Sequence, residues 1–407
     1  MTQESYDAIV IGGGPAGGQA ARDLAKKGHK VLLVERLKDF SQNNFSSAGM
    51  TLDPLREFDL PDHVIGAYWN DLVIQCTKEC YDWKGEKAKG VVLDFAKLRQ
   101  FLADDCVAHG GEVLLGHRYE SKEVTEDGVI LQLQNVKTLD KIKVKAKLAI
   151  DATGPSRKVI YDSKDEEPEM VLGSGTEYLI EVEQEVYDRY KDKLVFFLGH
   201  KWALKGYSWI FPMENKILKV GSGKAHIKSK DQENTNQTTK KLTEKIIKEY
   251  MEVEEYKLID IHGGVLRYTL GIKDTFYQNK VVAIGDAISA VNPSGGEGIR
   301  FAMQNAELAC EYVDKYLKNG SANFKQYRRR WKRRKLLKWR LSQASAIRMY
   351  GRYSDEQIER RIQFINKSLN IDELIQSLFH QKYKKAAVRI LRMYMLKLRF
   401  RFQGKDF

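Results

Sequence analysis

The sequence predicts an α/β fold: a Rossmann-type nucleotide-binding domain with an inserted antiparallel β-sheet domain and a helical, basic C-terminal tail. Three observations predict it. An apolar run, a glycine-rich turn and a helix-period pattern follow one another over residues 6–28. From about residue 165 to residue 265 the segments are β-rich, and a buried-strand pattern resumes at residue 280. Basic residues dominate after residue 320.

The opening segment has the pattern of a dinucleotide-binding βαβ unit. Residues 6–12 form an apolar strand, and the following run GGGPAG places Gly12 at the tight turn, Gly14 beside a pyrophosphate and Gly17 where helix and strand pack closely. The helix N-terminus supplies N–H groups to phosphates. Glu35 ends the second strand about 20 residues further on, where a carboxylate can accept hydrogen bonds from a ribose.

The remaining elements follow in order along the chain. A helix lies within residues 91–105, and strand patterns follow at residues 113–115, 128–134 and 142–151. The β-rich middle has strands at residues 176–186, 193–198, 209–211 and 217–223; a strand at 280–285 and a helix at 298–317 return to the first domain. We therefore predict a discontinuous nucleotide-binding domain (1–165 and 266–318), an inserted β-sheet domain that binds the substrate (166–265) and a basic helical region (319–407).

The composition is that of a folded globular protein, with 407 residues, 43% hydrophobic and 30% charged. No apolar run approaches the roughly 20 residues that span a bilayer, and the first strand begins at once, without a leader. Four cysteines, at positions 76, 80, 106 and 310, predict no disulfide framework and favour a reducing compartment. We expect a cytoplasmic protein, peripheral to a membrane if its tail binds one.

The positive charge is concentrated in the tail. Residues 321–407 hold 24 Lys and Arg against 6 Asp and Glu, whereas the rest of the chain holds 44 against 49. The run 328–335 and the stretch 384–402 interleave basic with apolar and aromatic residues. Three interpretations are open: helices that pack on the body, contact with an anionic membrane surface, or a nucleic-acid groove. No nucleic-acid module accompanies the charge, so nucleic acid is not expected as a partner.

A second motif indicates which dinucleotide is bound. Residues 281–299 read VVAIGDAISAVNPSGGEGI. This resembles the second signature of FAD enzymes of the aromatic-hydroxylase type. The resemblance implies that Asp286 binds the ribityl and pyrophosphate region and that the helix N-terminus at Gly298 and Ile299 faces the N1–C2 carbonyl side of the flavin. A helix N-terminus there would stabilise the anionic reduced ring.

The resemblance implies FAD as the cofactor and assigns further residues to it. Arg99, on a helix over residues 95–104, matches a family position that contacts FAD, and the strand-end motif at residues 151–154 lies near it. The predicted cofactor-binding residues are Gly12, Gly14, Pro15, Ala16, Gly17, Glu35, Arg36, Ala48, Gly49, Arg99, Asp151, Gly154, Gly285, Asp286, Gly295, Gly298 and Ile299. No metal site is expected.

The inserted domain carries a rarer pattern. Tyr207, Trp209 and Phe211 alternate along one strand, and Gly221 and Gly223 follow on the next. Alternation places the three aromatic side chains on one face, and the small-residue strand lets something bulky lie across it. Taken alone, the pattern is compatible with an aromatic sheet core or with a surface that contacts a long apolar ligand.

Tyr-x-Trp-x-Phe-Pro followed by Gly-x-Gly resembles the signature of the geranylgeranyl reductase family. The resemblance implies an FAD-dependent enzyme that saturates C=C bonds of a prenyl chain on a lipid, pigment or diphosphate. It covers roughly residues 5–315. Family members usually carry a Cys-Gly pair after the second strand, whereas residues 45–50 here read FSSAGM. The proton must then come from elsewhere, and the candidates are Tyr207, Glu297 and a bound water.

Two alternatives stay open at this stage. One is a flavin monooxygenase or cyclase of the same fold that acts on an aromatic, quinone or carotenoid; the other is a non-catalytic flavin-binding protein that uses its basic tail for a membrane or partner. There is no second complete nucleotide-binding βαβ unit. Reduced ferredoxin or a transiently bound NADPH is therefore expected as the electron donor, and a prenylated, hydrophobic molecule as the substrate.

Overall fold

The computed structural model of the chain describes residues 5–42, 46–203, 205–226 and 237–383, together with residue 388. The strands are β1 (Ser5–Ile11), β2 (Val31–Val34), β3 (Gly49–Thr51), β4 (Ile65–Trp69), β5 (Asp71–Gln75), β6 (Cys80–Trp83), β7 (Gly90–Leu93), β8 (Glu112–Leu114), β9 (His117–Val124), β10 (Val129–Asn135), β11 (Lys141–Asp151), β12 (Met170–Glu181), β13 (Lys193–Phe197), β14 (Gly206–Pro212), β15 (Ile217–Ala225), β16 (Lys257–Thr269), β17 (Tyr277–Gln278) and β18 (Val281–Ala283). The α-helices are α1 (Pro15–Lys26), α2 (Asp53–Glu57), α3 (Phe95–Ala108), α4 (Gln184–Asp188), α5 (Thr239–Lys245), α6 (Ile299–Asn319), α7 (Phe324–Gly351), α8 (Asp355–Ser368) and α9 (Ile371–Leu378).

The chain forms two compact units, and each is discontinuous in sequence. The first unit is built from Met1–Ser46, Asp94–Gly173 and Val265–Ser345, and the second from Ser47–Leu93, Ser174–Gly264 and Ala346–Phe407. The predicted fold class is confirmed. The boundaries of the units differ from those predicted, because residues 47–93 and the end of the chain join the inserted sheet in one unit.

The first unit is organised by a largely parallel sheet, in the order β17-β18-β11-β1-β2-β8, with β10 and β9 continuing from β11. Ile11 lies opposite Val34 on one side and Asp151 on the other, and Asp151 in turn lies opposite Ala283. The carboxyl ends of four parallel strands therefore meet at one edge. This edge is where ligands bind in open α/β sheets.

Helix α7 begins the segment that was predicted to be a separate basic region. Its first part belongs to the first unit, where Tyr327, Trp331 and Trp339 are buried. Successive members of this set lie four and eight positions apart, and they therefore form one apolar stripe that packs inward. A charge count alone hides this stripe, because basic residues occupy most of the positions between its members.

The second unit contains a seven-stranded sheet in the order β16-β12-β15-β14-β13-β5-β6 and a small sheet in the order β3-β7-β4. The prediction of a wholly antiparallel inserted sheet needs one correction, since β13 pairs parallel with β5. This pair joins segments more than 100 residues apart, and a long-range pairing of this kind leaves no local pattern in the sequence. Strands β5 and β6 therefore belong to this sheet rather than to the nucleotide-binding domain.

Helices α8 and α9 pack on the second unit through their apolar faces. Each begins with a capping box, formed by Ser354 with Gln357 and by Asn370 with Glu373. Their buried residues are Ile358, Ile362, Ile371, Leu374 and Ile375. The packing interpretation of the tail therefore holds for these two helices. The basic stretch 384–402 lies outside the described residues except for Val388.

Among the residues that the structure describes, no helix combines the length and the apolar character that crossing a bilayer requires.

Candidate active site

The glycines of the turn between β1 and α1 have two different structural roles. Gly12 has a φ of 110°, and a Cβ there would lie 2.7 Å from the carbonyl carbon of Ala152. A Cβ on Gly17 would lie 3.0 Å from the side chain of Ala152. Gly14 is the opposite case, since nothing lies within 4 Å of its Cβ position. The first two glycines thus permit close packing, and Gly14 leaves space open in front of the N-terminus of α1, which begins at Pro15.

Glu35 closes this turn from the end of β2. Its Oε2 accepts the N–H of Gly13 at 2.7 Å, and its Oε1 accepts the N–H of Leu37 at 3.0 Å. The carboxylate is therefore fixed in position, and each oxygen keeps a lone pair for another donor. The predicted contact with a ribose requires such a free lone pair. Arg36, the next residue, is exposed.

Arg99 lies on α3, whose N-terminus is capped by Asp94. Its Nη2 donates to the carbonyl oxygens of Phe40 and Gln42, and its guanidinium lies 4.7 Å from the centre of the Phe95 ring. Burial lowers the pKa of Arg99, although the carboxylate of Glu35 opposes that change. Among the described residues the buried Nε has no hydrogen-bond partner. A buried cation with an unused donor fits an anionic ligand.

A cavity of about 890 Å³ opens at the carboxyl ends of β1, β2 and β11. That volume lies within the range of roughly 300–1,000 Å³ that is usual for cofactor pockets. The predicted cofactor residues in its wall are Gly12, Gly14, Glu35, Arg36, Arg99 and Gly154. The structure therefore brings together residues that lie up to 142 positions apart in sequence.

Asp151 differs from its prediction as a residue that contacts the cofactor. Its Oδ1 accepts the N–H and the hydroxyl of Thr153, and its Oδ2 accepts the N–H groups of Val159 and Ile160 at 2.9 and 2.8 Å. The residue is completely buried. Four internal donors occupy the carboxylate, and its role is to fold the segment that carries Gly154. Sequence spacing alone does not separate these two roles.

Gly285 and Asp286 form a short 3₁₀ turn after β18. The turn packs closely on α1, since a Cβ on Gly285 would lie 2.6 Å from that of Ala16. The side chain of Asn305 accepts the N–H of Gly285 at 2.9 Å and the hydroxyl of Tyr327 at 3.1 Å. The sequence analysis missed both of these residues, since neither belongs to a recognised motif. They hold Asp286 in position.

The carboxylate of Asp286 lies close to the start of α6, since a Cβ on Gly298 would lie 3.8 Å from its Oδ1. Burial raises the pKa of Asp286, the positive charge of Arg157 opposes the rise, and the nearby Asp274 adds to it. A carboxylate in such surroundings gains from a ligand that donates hydroxyl groups. The ribityl chain predicted for this position is a polyol, so the residue fits it.

Buried interactions hold the glycine-rich loop before α6. The hydroxyl of Ser342 donates to the Oδ1 of Asn292 and accepts the backbone N–H of Ser294 at 3.1 Å. The loop leads through Gly295 to Gly298, and α6 begins at Ile299 and runs for 21 residues without a side-chain cap. No side chain at Gly298 caps the helix, and the helix dipole places partial positive charge at this N-terminus.

A fully buried ion pair between Arg157 and Asp274 contacts the residue that follows the Gly285–Asp286 turn. Arg157 donates to the Oδ1 of Asp274 from Nε at 3.3 Å and from Nη2 at 3.1 Å, and both side chains are completely inaccessible. Nη2 also reaches the hydroxyl of Ser289 at 3.1 Å. Ser289 follows the turn that holds Asp286. Arg157 thus connects the segment after β11 to the segment after β18. No sequence motif predicts this ion pair.

In the second unit, β14 and β15 pair antiparallel, with Trp209 opposite Gly221 and Tyr207 opposite Gly223. A Cβ on Gly221 would lie 2.9 Å from the indole nitrogen of Trp209 and closer still to two ring carbons. The bulky group that lies across Gly221 is therefore Trp209 itself. This corrects the predicted contact of Gly221 with a substrate. Gly223 is less crowded, because its Cβ position lies 3.6 Å from the same ring.

Phe211 and Tyr207 share the face of Trp209. A Cβ on Gly49 would lie 2.9 Å from the Phe211 ring, so the small residue at position 49 admits that ring. Tyr207 is half-buried, with its ring centre 5.6 Å from that of Trp209 and 6.4 Å from that of Tyr350. Phe211 and Trp209 are buried in the same apolar cluster as α8 and α9. Trp209 and Phe211 thus belong to one buried apolar cluster, and the half-buried Tyr207 packs against it. We call these three side chains the motif face.

Comparison with known proteins assigns the chain to a family. The FAD binding domain family matches residues 5–345. A digeranylgeranylglycerophospholipid reductase from Haloferax volcanii is 30% identical over 332 residues, which cover 78% of this chain and 77% of that protein. The chain belongs to the geranylgeranyl reductase family of FAD-binding oxidoreductases.

A further sequence relative and one solved structure have names that mention other prenyl compounds. A geranylgeranyl diphosphate reductase from Rhodobacter capsulatus is 26% identical, with 77% of this chain and 76% of that protein covered. The crystal structure of a geranylgeranyl bacteriochlorophyll reductase-like protein from Thermoplasma acidophilum superposes with a TM-score of 0.78. It is 19% identical and covers 95% of this chain and 99% of that one, so it shows a shared fold.

One predicted proton donor in this family member is held in an ion pair. The carboxylate of Glu297 lies 2.8 Å from the Nε of Arg300, and Nη2 of Arg300 donates to it at 2.9 Å. The ion pair fixes the position of the Glu297 carboxylate just before α6. Its role as a proton donor stays a prediction.

The family member also departs from the usual Cys-Gly pair. Ala48 and Gly49 occupy the start of β3 in the second unit, and the carbonyl oxygen of Ala48 accepts the N–H of Leu93 at 3.1 Å. Phe45, at the start of the same loop, lies outside the described residues. Neither described position carries a side chain that can donate a proton. Their predicted contact with FAD stays a prediction.

Proposed function

We propose that this protein uses FAD to reduce C=C bonds in a prenyl, geranylgeranyl-type chain carried by a lipid, a pigment or a diphosphate. The observation that carries the proposal is the motif face, since Tyr207, Trp209 and Phe211 pack in one aromatic cluster of a chain whose first unit has a cavity lined by six of the predicted cofactor residues. The names of the relatives support the same chemistry. Bound FAD, when reduced, supplies hydride.

The residues of the first unit would bind and orient the cofactor. We assign Gly14 and the N-terminus of α1 to the pyrophosphate, Glu35 to the adenosine ribose and Asp286 to the ribityl chain. The uncapped N-terminus of α6 would stabilise negative charge on the reduced ring. Arg99 would supply its unused Nε–H to an anionic part of the cofactor.

The motif face would hold the prenyl chain, and a proton must reach one carbon of each reduced bond. Tyr207 is the hydroxyl-bearing member of the face and is our candidate donor, beside Glu297 in its pair with Arg300 and a bound water. An isolated alkene accepts hydride poorly, so the proton has to be aligned with it in a dry environment. Trp209 and Phe211 are buried, so their part of the motif face is shielded from water.

Reoxidation of the flavin tests the proposal directly. The protein is reduced with dithionite without oxygen, and digeranylgeranyl glycerophospholipid, geranylgeranyl diphosphate or a fully saturated phytanyl lipid is added. We expect the flavin absorbance near 450 nm to return with an unsaturated chain and to stay low with the phytanyl lipid. No recovery with any prenyl compound would remove the proposal. Oxygen-dependent product formation from an aromatic or a carotenoid would favour the monooxygenase or cyclase alternative.

The electron donor is proposed to be reduced ferredoxin or NADPH. The nucleotide-binding sheet of the first unit supplies one glycine-rich cradle, which the cofactor occupies in this proposal. Anaerobic mixing of the oxidised holoprotein with each donor distinguishes them, because only the true donor bleaches the flavin at a rate that supports turnover.

We also propose that the basic region meets an anionic membrane surface, and α7 offers the surface for it. The 28 residues of α7 include no Asp or Glu. Leu337 and Leu341, one helical turn apart, are 72% and 52% exposed. Arg333, Arg334 and Arg340 are exposed beside them. Two apolar side chains within a basic helix face match an interface of anionic headgroups over acyl chains.

Changing these two leucines tests the surface. We expect Leu337→Gln with Leu341→Gln to reduce binding to vesicles of one-third phosphatidylglycerol by roughly tenfold or more, because each leucine buries apolar area worth about 1.5–3 kcal/mol when fully covered. Leu139→Gln with Leu172→Gln, at exposed leucines outside α7, is the control. Co-sedimentation measures the bound fraction. Equal loss in both double variants, or no binding by the wild-type protein, would contradict the proposal.

A further inference from the structure

A buried carboxyl group lies against the motif face. Glu177, on β12, is 1% exposed, and its Oε2 accepts the indole N–H of Trp209 at 2.8 Å. This is the hydrogen bond that satisfies the only polar atom of Trp209's side chain. The pattern that identifies the motif includes Trp209 but not Glu177, which lies 32 positions earlier in the chain.

The indole of Trp209 is fixed from several sides. Gly221 lies directly against the ring and leaves no room for a Cβ between them. The ring of Tyr207 lies 5.6 Å away at an angle of 51°. With Glu177 on its nitrogen, the ring has one position that satisfies packing and hydrogen bonding together. A shift of the ring would break the hydrogen bond or strike a neighbour.

Keeping an acid at this place is costly for the fold. Burial raises the pKa of Glu177, and the positive charge of Lys219 opposes the rise. Lys219 is itself only 2% exposed and donates to the carbonyl oxygen of Leu93 at 3.2 Å. Buried polar groups can often be replaced by apolar side chains of similar size without loss of stability. A role in fixing the orientation of Trp209 explains the arrangement better than a role in stability.

We propose that Glu177 is a positioning residue that fixes the Trp209 indole and thereby selects which double bonds of the prenyl chain are reduced. The inference rests on the proposed function, because it takes the motif face as the surface that holds the chain. Shape differences of one methylene in an apolar pocket change specificity by roughly 10–200-fold. A ring that moves by a similar distance would therefore alter the extent of reduction along the chain.

A double-mutant cycle tests this inference on the full-length holoprotein. The variants are Glu177→Met, which removes the acceptor, Glu177→Gln, which keeps an acceptor oxygen, Trp209→Phe, and the combination of Glu177→Met with Trp209→Phe. The ratio of fully to partly reduced product from a digeranylgeranyl lipid is measured by mass spectrometry. Tryptophan emission, with the spectrum of the Trp209→Phe variant subtracted, reports the surroundings of the indole.

We expect Glu177→Met to change the product ratio by about tenfold and to shift the emission, as the loss of one buried hydrogen bond predicts. Glu177→Gln should restore both. In the Trp209→Phe background, Glu177→Met should have no further effect. If Glu177→Met does not fold, Glu177→Met with Lys219→Met replaces both buried ionisable side chains and still lacks the acceptor for the indole N–H.

The inference is overturned if the effects of the two sites add, or if Glu177→Gln behaves like Glu177→Met. It is also overturned if the product ratio stays unchanged while the emission shifts. A wild-type protein that reduces no prenyl chain contradicts the proposed function instead, and the emission cycle still reports whether Glu177 fixes the indole. The two failures are therefore distinguishable.

Discussion

Replacing Gly14 by valine is expected to give a folded but colourless protein. Gly14 has an extended backbone conformation that any residue adopts, and nothing lies within 4 Å of its Cβ position. The added methyl groups would fill the space in front of the N-terminus of α1 where the pyrophosphate is assigned. We expect the dissociation constant for FAD to rise by at least about 100-fold, which corresponds to ~2.7 kcal/mol.

Titration of the flavin-free protein with FAD, followed by the quenching of flavin fluorescence, measures this change. The matched control is Gly263→Val, which adds the same side chain at an exposed position of β16 where the nearest other atom lies 3.8 Å away. Both variants should melt within a few degrees of the wild-type apoprotein. A Gly14→Val protein that still binds FAD with wild-type affinity would contradict the assignment of this turn.

Removing the charge of Arg157 is expected to be the most destabilising single change in the first unit. Arg157→Met leaves the carboxylate of Asp274 buried without its cation, and breaking a fully buried pair in this way costs about 3–5 kcal/mol. The same change also removes one donor to Ser289, so FAD binding should weaken because the turn that carries Asp286 loses one of the hydrogen bonds that hold it. Urea denaturation followed by circular dichroism measures the free energy of unfolding.

The expected loss comes from the unpaired carboxylate of Asp274. A second variant separates the effect of this charge from the effect of lost packing. Arg157→Met with Asp274→Asn should recover part of the lost free energy, because the amide is neutral and can still bond to Thr269. Lys191→Met breaks an exposed pair with Asp188 and should change stability little. If Arg157→Met unfolds at the wild-type urea concentration, the pair does not fix the fold in the way proposed.

Much of the first unit could be predicted from the sequence because its signals are local. Gly12, Gly14 and Glu35 lie within one βαβ unit, and the register of four parallel strands then brings the Gly285 turn to the same edge. A buried parallel strand reads as a continuous apolar run, and such runs mark β1, β2 and β18. The signal for each of these strands and turns is carried by residues close to each other in the chain.

The remainder depends on contacts between distant segments, which leave no local pattern. Asp151 has the spacing of a cofactor ligand, yet its carboxylate is used by four internal donors. Gly221 has the pattern of a ligand-contacting glycine, yet it accommodates Trp209 from the neighbouring strand. The parallel pairing of β5 with β13 and the burial of Trp331 within a basic helix are further cases. In each case the deciding partner is remote in sequence.

The mass of the lipid product tests the central claim most directly. Purified holoprotein, reduced without oxygen and mixed with a digeranylgeranyl lipid, should yield products heavier by about 2 Da for every bond reduced. In heavy water reduced flavin exchanges its transferable hydrogen with the solvent, so both added hydrogens become deuterium and the gain is about 4 Da per bond. An unchanged lipid mass, or a gain of oxygen, from a protein that carries FAD would contradict the account.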